Sequence, residues 1–370
     1  MNIVYISTST IPSRTANSIH VMKMCQAFAH NGHEVVLLAP DKKEDIEPGI
    51  DDVFDCYGVD PNFSLQKVTW YSLKGRGYIY GWLAARAAIR HKPDLVFCRN
   101  LIGCYFAALS GQKVIFESHS PIIDGGRLSE WFFKMLLKRK ELYKLVVITH
   151  ALKAYYEENY PELKGKIQVA PDGADPVPEN VQLIDLPNKG NRLQLGYVGH
   201  LYEGKGMEVV VELAKHCCWA DFHVVGGKER DISHWKDLVR GLSNITFYGF
   251  IPHSKTISYI KSFDILLLPN QPEVQANGKS DIGRWTSPLK MFEYMASGNP
   301  IIASDLAVLR EVLENNKNAL LCPPQEIKKW IEAISELNLN RKKMEKVGIN
   351  ALTCFSQKYS WLSRASTLVD

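Results

Sequence analysis

Short β-rich runs alternate with helix-period segments twice along this 370-residue chain, on either side of a stretch rich in Pro, Gly, Asp and Asn, PDGADPVPENVQLIDLPNKGN at 171–191. Before that stretch the strand signals fall at 2–7, 34–39, 94–98, 113–117, 144–149 and 166–170. The helical segments between them lie at 18–30, 78–90, 102–109, 128–142 and 152–160. After it the strands are expected at 193–198, 222–225, 245–248, 265–268, 300–303 and 319–322, and a helical tail over 341–368 outlasts the second sheet. Strands separated by helices pair in parallel, because a parallel pair needs a crossover connection. The fold class is therefore α/β, with two doubly wound, Rossmann-like domains, 1–182 and 183–350, facing across a cleft. A chain of this length exceeds one ordinary core, which agrees with two domains. Such sheets place ligands at the carboxyl ends of their strands, and that is where site residues are sought.

Composition removes several alternatives. With 46% hydrophobic and 23% charged residues the chain reads as soluble and globular. No run of eighteen apolar residues is present, and MNIVYIST lacks the basic leader of a secretory signal. Eight cysteines without a CxxC pair suggest buried free thiols in a reducing, cytoplasmic setting. A formal charge of +4 permits a phosphate-bearing ligand or an anionic membrane surface but gives no argument for nucleic acid. The first turn, TSTIPSRTANS, lacks G-x-G-x-x-G, which disfavours a dinucleotide cofactor. No D-x-D and no zinc spacing occurs, so neither metal nor cofactor is expected.

The richest stretch is RWTSPLKMFEYMASGNPIIASD, 284–305. Ser287 reads as a helix N-cap with Pro288 at the first helical position. The amides of Leu289 and Lys290 at the positive end of the helix would then form an anion site. Glu293, less than two turns further in, could accept hydrogen bonds from sugar hydroxyls beside that anion. A well-capped surface helix is an equally good local reading. GHLYEGKG, 199–206, follows a strand and nearly matches a phosphate loop, but Gly206 stands where Ser or Thr must ligate magnesium. What survives is Lys205 as a metal-free point charge for a diphosphate. His119, Arg99 and His150 each follow a strand, so each could face the cleft. Gly226, Phe250 and Ile251 follow two further strands and could border a flat base, although plain turn chemistry explains them as well. The basic-aromatic stretch 129–144, with Trp131, Phe132 and Phe133, could lie on a bilayer, while packing on the sheet is the commoner fate of such residues.

The GHEV ending of the first helix, FESH, PDGAD, GHLYEGKG, VVGG, YGFIPHS and SPLKMFEYMASGNPIIASD occur in an order that resembles the retaining glycosyltransferases of family 4, of GT-B architecture. The resemblance covers nearly the whole chain. It implies that residues 351–370 form a helix returning to the first domain, and that the donor is a nucleotide diphosphate sugar (UDP- or GDP-linked). The acceptor would be a glycan or a lipid-linked molecule, in cell-surface polysaccharide synthesis near the inner face of the membrane. It gives His119, Lys205 and Glu293 the catalytic roles, with Lys205 and the amides of Leu289 and Lys290 on the diphosphate and Glu293 on the ribose. The chain departs from the family at three places. Trp285 replaces a glutamate, which leaves Asp281 or backbone groups to contact the donor sugar. His200 replaces a phosphate-binding arginine, and Thr15-Ala16 replace a glycine pair on the acceptor side. A nucleotide-sugar epimerase of the same architecture, or a homologue that binds nucleotide without turning it over, would share most of these motifs.

Overall fold

The computed structural model describes residues 1–44, 46–276, 280–281 and 283–369, with the backbone alone for 275–276 and 280–281. The chain divides into two units, Met1–Asp172 with Trp361–Asp370, and Gly173–Ser360.

In the first unit β1 (Asn2–Ile6), β2 (Glu34–Asp41), β3 (Ser64–Thr69), β4 (Leu95–Cys98), β5 (Val114–Ser118), β6 (Leu142–Val147) and β7 (Ile167–Val169) form one sheet in the order 3-2-1-4-5-6-7. Every pairing is parallel. Helices α1 (Ala16–His30), α2 (Val53–Tyr57), α3 (Arg76–Arg90), α4 (Leu101–Leu109), α5 (Gly126–Leu137) and α6 (His150–Asn159) make the connections. The central strands are apolar on both faces, as a sheet covered on both sides requires.

In the second unit β8 (Leu193–Val198), β9 (Ala220–Val225), β10 (Ile245–Gly249), β11 (Ile265–Leu268), β14 (Ile301–Ser304) and β15 (Leu320–Cys322) form a parallel sheet in the order 10-9-8-11-14-15. A two-stranded hairpin, β12 (Gln275–Ala276) and β13 (Ser280–Asp281), stands apart from it. The helices are α7 (Met207–His216), α8 (Glu229–Leu238), α9 (His253–Ser262), α10 (Leu289–Ser297), α11 (Ile327–Leu339) and α12 (Arg341–Lys358). The helical tail is broken at Tyr359-Ser360, and α13 (Trp361–Val369) belongs to the first unit. All eight cysteines are free, and six of them are buried.

Three expectations are corrected. An edge strand, β3, was missing from the sequence reading. SLQKVT buries only Val68 and has no continuous apolar run. The helix expected over 128–142 ends at Leu137, so Lys138, Arg139 and Lys140 lie between α5 and β6 and not on a membrane-facing helix. Phe133 is in the core, and Phe132 stacks among Tyr78, Tyr105 and Phe106, which leaves Trp131 as the exposed aromatic of the three. Third, Ser287 is not the cap of α10. Pro288 holds that position with extended backbone (ψ 123°), no side chain caps the helix, and Ser287 is buried one residue before it. The αL stop at Gly298 is as expected (φ +73°).

Candidate active site

In each sheet the strand order reverses once, beside β1/β4 and beside β8/β11, and those switch points form crevices at the strands' carboxyl ends. In the second unit the loop 199–206 leaves β8 at that point. Backbone bonds fix its base, with the Gly199 N–H donating to the Val225 carbonyl and the Gly226 N–H to the Gly249 carbonyl, and the Tyr197 hydroxyl and Trp235 Nε1 donate to the carbonyls of His200 and Leu201. A Cβ at Gly226 would lie 2.3 Å from the Gly199 carbonyl oxygen, and one at Gly206 would lie 1.8 Å from the Pro269 carbonyl oxygen; both residues have positive φ. Only glycine fits at either position. Gly226 therefore stitches β8, β9 and β10 together at their carboxyl ends.

Lys205 is carried on this loop, half-buried, with burial pushing its ammonium down to about 8. Opposite it, α10 is tied to the end of β8 because the Val198 N–H donates to the Tyr294 hydroxyl at 2.8 Å. That tie places the first turn of α10 beside Gly199. The Leu289 and Lys290 amides, by position, have no intrahelical acceptor. Side chains tilt back toward a helix N-terminus, and the Lys290 ammonium accordingly lies 3.9 Å from the centroid of the Tyr197 ring. Lys290 is 8% exposed, and its Nζ has no hydrogen-bond partner among the described residues. Burying an ammonium costs several kcal/mol, and a cation–π contact returns about 0.5–2 kcal/mol. Burial first, and Lys205 second, hold Lys290 well below the usual lysine range, with Glu293 pulling the other way. Glu293 is half-buried three residues on and accepts a hydrogen bond from His253 Nε2 at 2.7 Å.

Other expected donor-side residues spread around this centre. The His200 ring lies 5.5 Å from that of Tyr202. Phe250 and Ile251 are both half-buried, and Ile251 packs against the apolar core. Trp285 is half-buried under the Arg284 guanidinium, 5.3 Å from its ring centroid. The Asp281 side chain lies outside the described residues.

The first unit holds a different cluster. His119 follows β5 and donates from Nε2 to Glu117. Glu117 is fully buried and also faces Arg364 (Nη2 to Oε1, 3.2 Å) and His20 (Nε2 to Oε1, 3.0 Å), the latter off the line of a hydrogen bond. His20 donates from Nδ1 to Asp172 at 2.7 Å. Burial alone would raise the Glu117 carboxyl, but Arg364 and then His20 hold it well below the usual range; Asp172 is lowered chiefly by His20 against its own burial. Burial, and then the Arg99 charge, push His119 down to about 4, which leaves a neutral ring. His20, Glu117 and His119 offer three ligand atoms within 4.8 Å. A metal there would sit beside the Arg364 guanidinium that already holds Glu117, so the set does not suit a cation. Arg99 begins where β4 ends, its N–H bonded to the Ile6 carbonyl and its Nη1 unpartnered among the described residues. Thr15 caps α1 by accepting from the Ser18 N–H, Ala16 opens that helix, and His150 opens α6 at the surface.

Sequence reasoning gave Lys290 only its amide and missed the ammonium. It also missed His253, His20, Asp172 and Arg364. His253 lies in the quoted segment YGFIPHS, which was the available signal; Arg364 has no local one.

Residues 18–177 match the family model described as Glycosyltransferase Family 4, and residues 192–340 match that described as Glycosyl transferases group 1. An uncharacterized glycosyltransferase of Methanocaldococcus jannaschii is 26% identical over 289 residues, 72% of this chain and 69% of that protein. D-inositol 3-phosphate glycosyltransferase of Nocardia farcinica is 22% identical over 231 residues, 58% of this chain and 48% of that protein. Among solved structures, sucrose-phosphate synthase from Thermosynechococcus elongatus superposes with a TM-score of 0.74 at 16% identity, covering 99% of this chain and 97% of that one. Anabaena HepE, solved with UDP and glucose, gives 0.71 at 13%, covering 100% and 98%. With two parallel sheets that each reverse strand order once, and a glycosyltransferase model matched in each half, the chain is a glycosyltransferase of the GT-B type.

Proposed function

We propose that the chain transfers a sugar from a UDP- or GDP-sugar to a glycan or lipid-linked acceptor, with retention at the anomeric carbon and without a metal, in the cytoplasm. The observation that carries this reading is the convergence of Lys205, the free first turn of α10 and the Glu293–His253 pair on the crevice beside β8. Cations and helix amides held in place before reaction stabilise the charge that develops on a departing diphosphate. Glu293, held by His253, offers its carboxylate to the ribose diol. The neutral His119 ring, its Nε2–H committed to Glu117, presents Nδ1 as an acceptor for a sugar hydroxyl. The likeness to HepE, solved with UDP-glucose, supports a nucleotide sugar as donor, and a similar fold in a lipopolysaccharide outer core galactosyltransferase supports a surface-glycan acceptor.

The test is nucleoside diphosphate release from a panel of UDP-, GDP- and ADP-sugars, with and without membrane extract, in EDTA. Release from one donor, raised by extract and indifferent to EDTA, supports the reading. Silence across the panel while UDP or GDP still raises the melting temperature marks a nucleotide binder without turnover, an outcome that Trp285 in place of a glutamate favours.

No helix among the described residues is long and apolar enough to cross a membrane. Peripheral contact through 129–144 rests on Trp131, exposed beside Lys134, and on the basic residues 138–140. Basic residues at an anionic surface contribute about 1 kcal/mol each. Replacing Lys138, Arg139 and Lys140 with Glu should weaken co-sedimentation with anionic vesicles, and unchanged binding would remove the membrane from the account.

A further inference from the structure

The two lysines at the crevice differ. Lys205 is half-buried on a loop, whereas Lys290 is 8% exposed on a helix with its Nζ unpartnered among the described residues. We propose that the Lys290 side-chain ammonium is a second cationic contact for the donor diphosphate, so that the paired lysines require two phosphates and discriminate against a monophosphate.

This rests on the donor reading above and names a specificity determinant within it. Three observations support it. The charged groups that face Lys290 are Lys205 from the 199–206 loop, which repels it, and Glu293 on its own helix, already engaged by His253; from β8 it meets only the Tyr197 ring. Its Nζ opens onto the loop because residue 199 has no side chain: a Cβ there would lie 3.5 Å from Nζ and cover it. Its own amide and that of Leu289 point out of the same helix end, so amides and ammonium converge on one anion. Two point charges that act on each other across one crevice suit a diphosphate, whose charge is spread over two linked groups, better than a single phosphate. Because burial and Lys205 keep the ammonium below its usual range, diphosphate binding draws a proton onto it.

Titration calorimetry on the full chain with UDP, UMP, GDP and GMP, in two buffers of different ionisation enthalpy, tests this. The comparison is wild type against Lys290→Met, which is unbranched, one atom shorter, uncharged and suited to a buried slot. The wild type should bind one diphosphate with proton uptake. Lys290→Met should lose roughly tenfold to a hundredfold for that diphosphate, the worth of one charge-assisted hydrogen bond. It should also lose the proton uptake, keep its affinity for the monophosphate, and melt no earlier than wild type. Equal diphosphate affinity in the variant, or equal losses for mono- and diphosphate, overturns the proposal. If Lys290→Met fails to fold, Lys290→Gln must show the same split, and its absence is equally fatal. A wild type that binds none of the four, and no ADP either, defeats the donor reading itself, a result distinct from the other two.

Discussion

Both units bury charge at the carboxyl ends of their sheets, and they treat it in opposite ways. In the first unit Glu117, His20, Asp172, Arg364 and His119 close on one another, and Arg364 also donates to the carbonyls of Ala170 and Pro171 and to the Met24 sulfur. In the second unit Lys205 repels Lys290, and Lys290 has no hydrogen-bonded anion among the described residues. A buried network in which the charges are paired fixes structure, here joining α13 to β5 and to the segment after β7. A buried lysine with no such partner is costly to charge in the ligand-free protein and gains its proton when an anion arrives. The difference separates residues that hold the fold from residues held ready for a ligand.

The largest expected effect falls on the satisfied side. Arg364→Met leaves the buried Glu117 carboxylate short of its main cation and should cost about 3–5 kcal/mol, read as early exchange of the amides of α13 and β5. Lys290→Met should cost no stability, and a comparable loss there would erase the contrast. On the unsatisfied side, Lys205→Met should lower kcat by about 10²–10³ with the melting temperature unchanged.

Acid and base should separate the units further. The Glu117 and Asp172 carboxyls lie below their usual range in the fold. Their contribution is therefore complete above about pH 4, where unfolded carboxylates are ionised, and is lost as the pH falls through the folded values. Denaturation curves for Arg364→Met should show a weaker acid dependence than wild type. At the other end, burial pushes the Lys205 ammonium down to about 8, so nucleoside diphosphate affinity should fall as the pH rises past that value.

The smallest effect concerns His119. With its ring pushed down to about 4, the kcat/KM profile should lack an inflection near pH 6.5. His119→Asn should cost roughly fivefold, the worth of one neutral hydrogen bond.

Much of the fold was legible because the core strands of both sheets are nearly continuous apolar runs, such as LVFC in β4 and ILLL in β11. The β3 strand was not legible, since an edge strand with one buried side chain carries little of that signal. Ser287 failed as a cap for a local reason: Pro288 before Leu289 takes extended backbone and so becomes the boundary itself. Lys205 and Glu293 were readable from their places after a strand and along a helix. The Lys290 ammonium was not, because a lysine in a helix reads as solvated until β8 brings Tyr197 beneath it. Partners such as His253 with Glu293, or Arg364 with Glu117, are set by topology alone.

The most direct measurement is hydrogen exchange on the whole chain with and without UDP or GDP. Protection concentrated in 199–206, 226–227, 249–253 and 289–293 is the result this account predicts. Protection centred instead on β5, α1 and α13, or none in the second unit from a nucleotide that demonstrably binds, would contradict it.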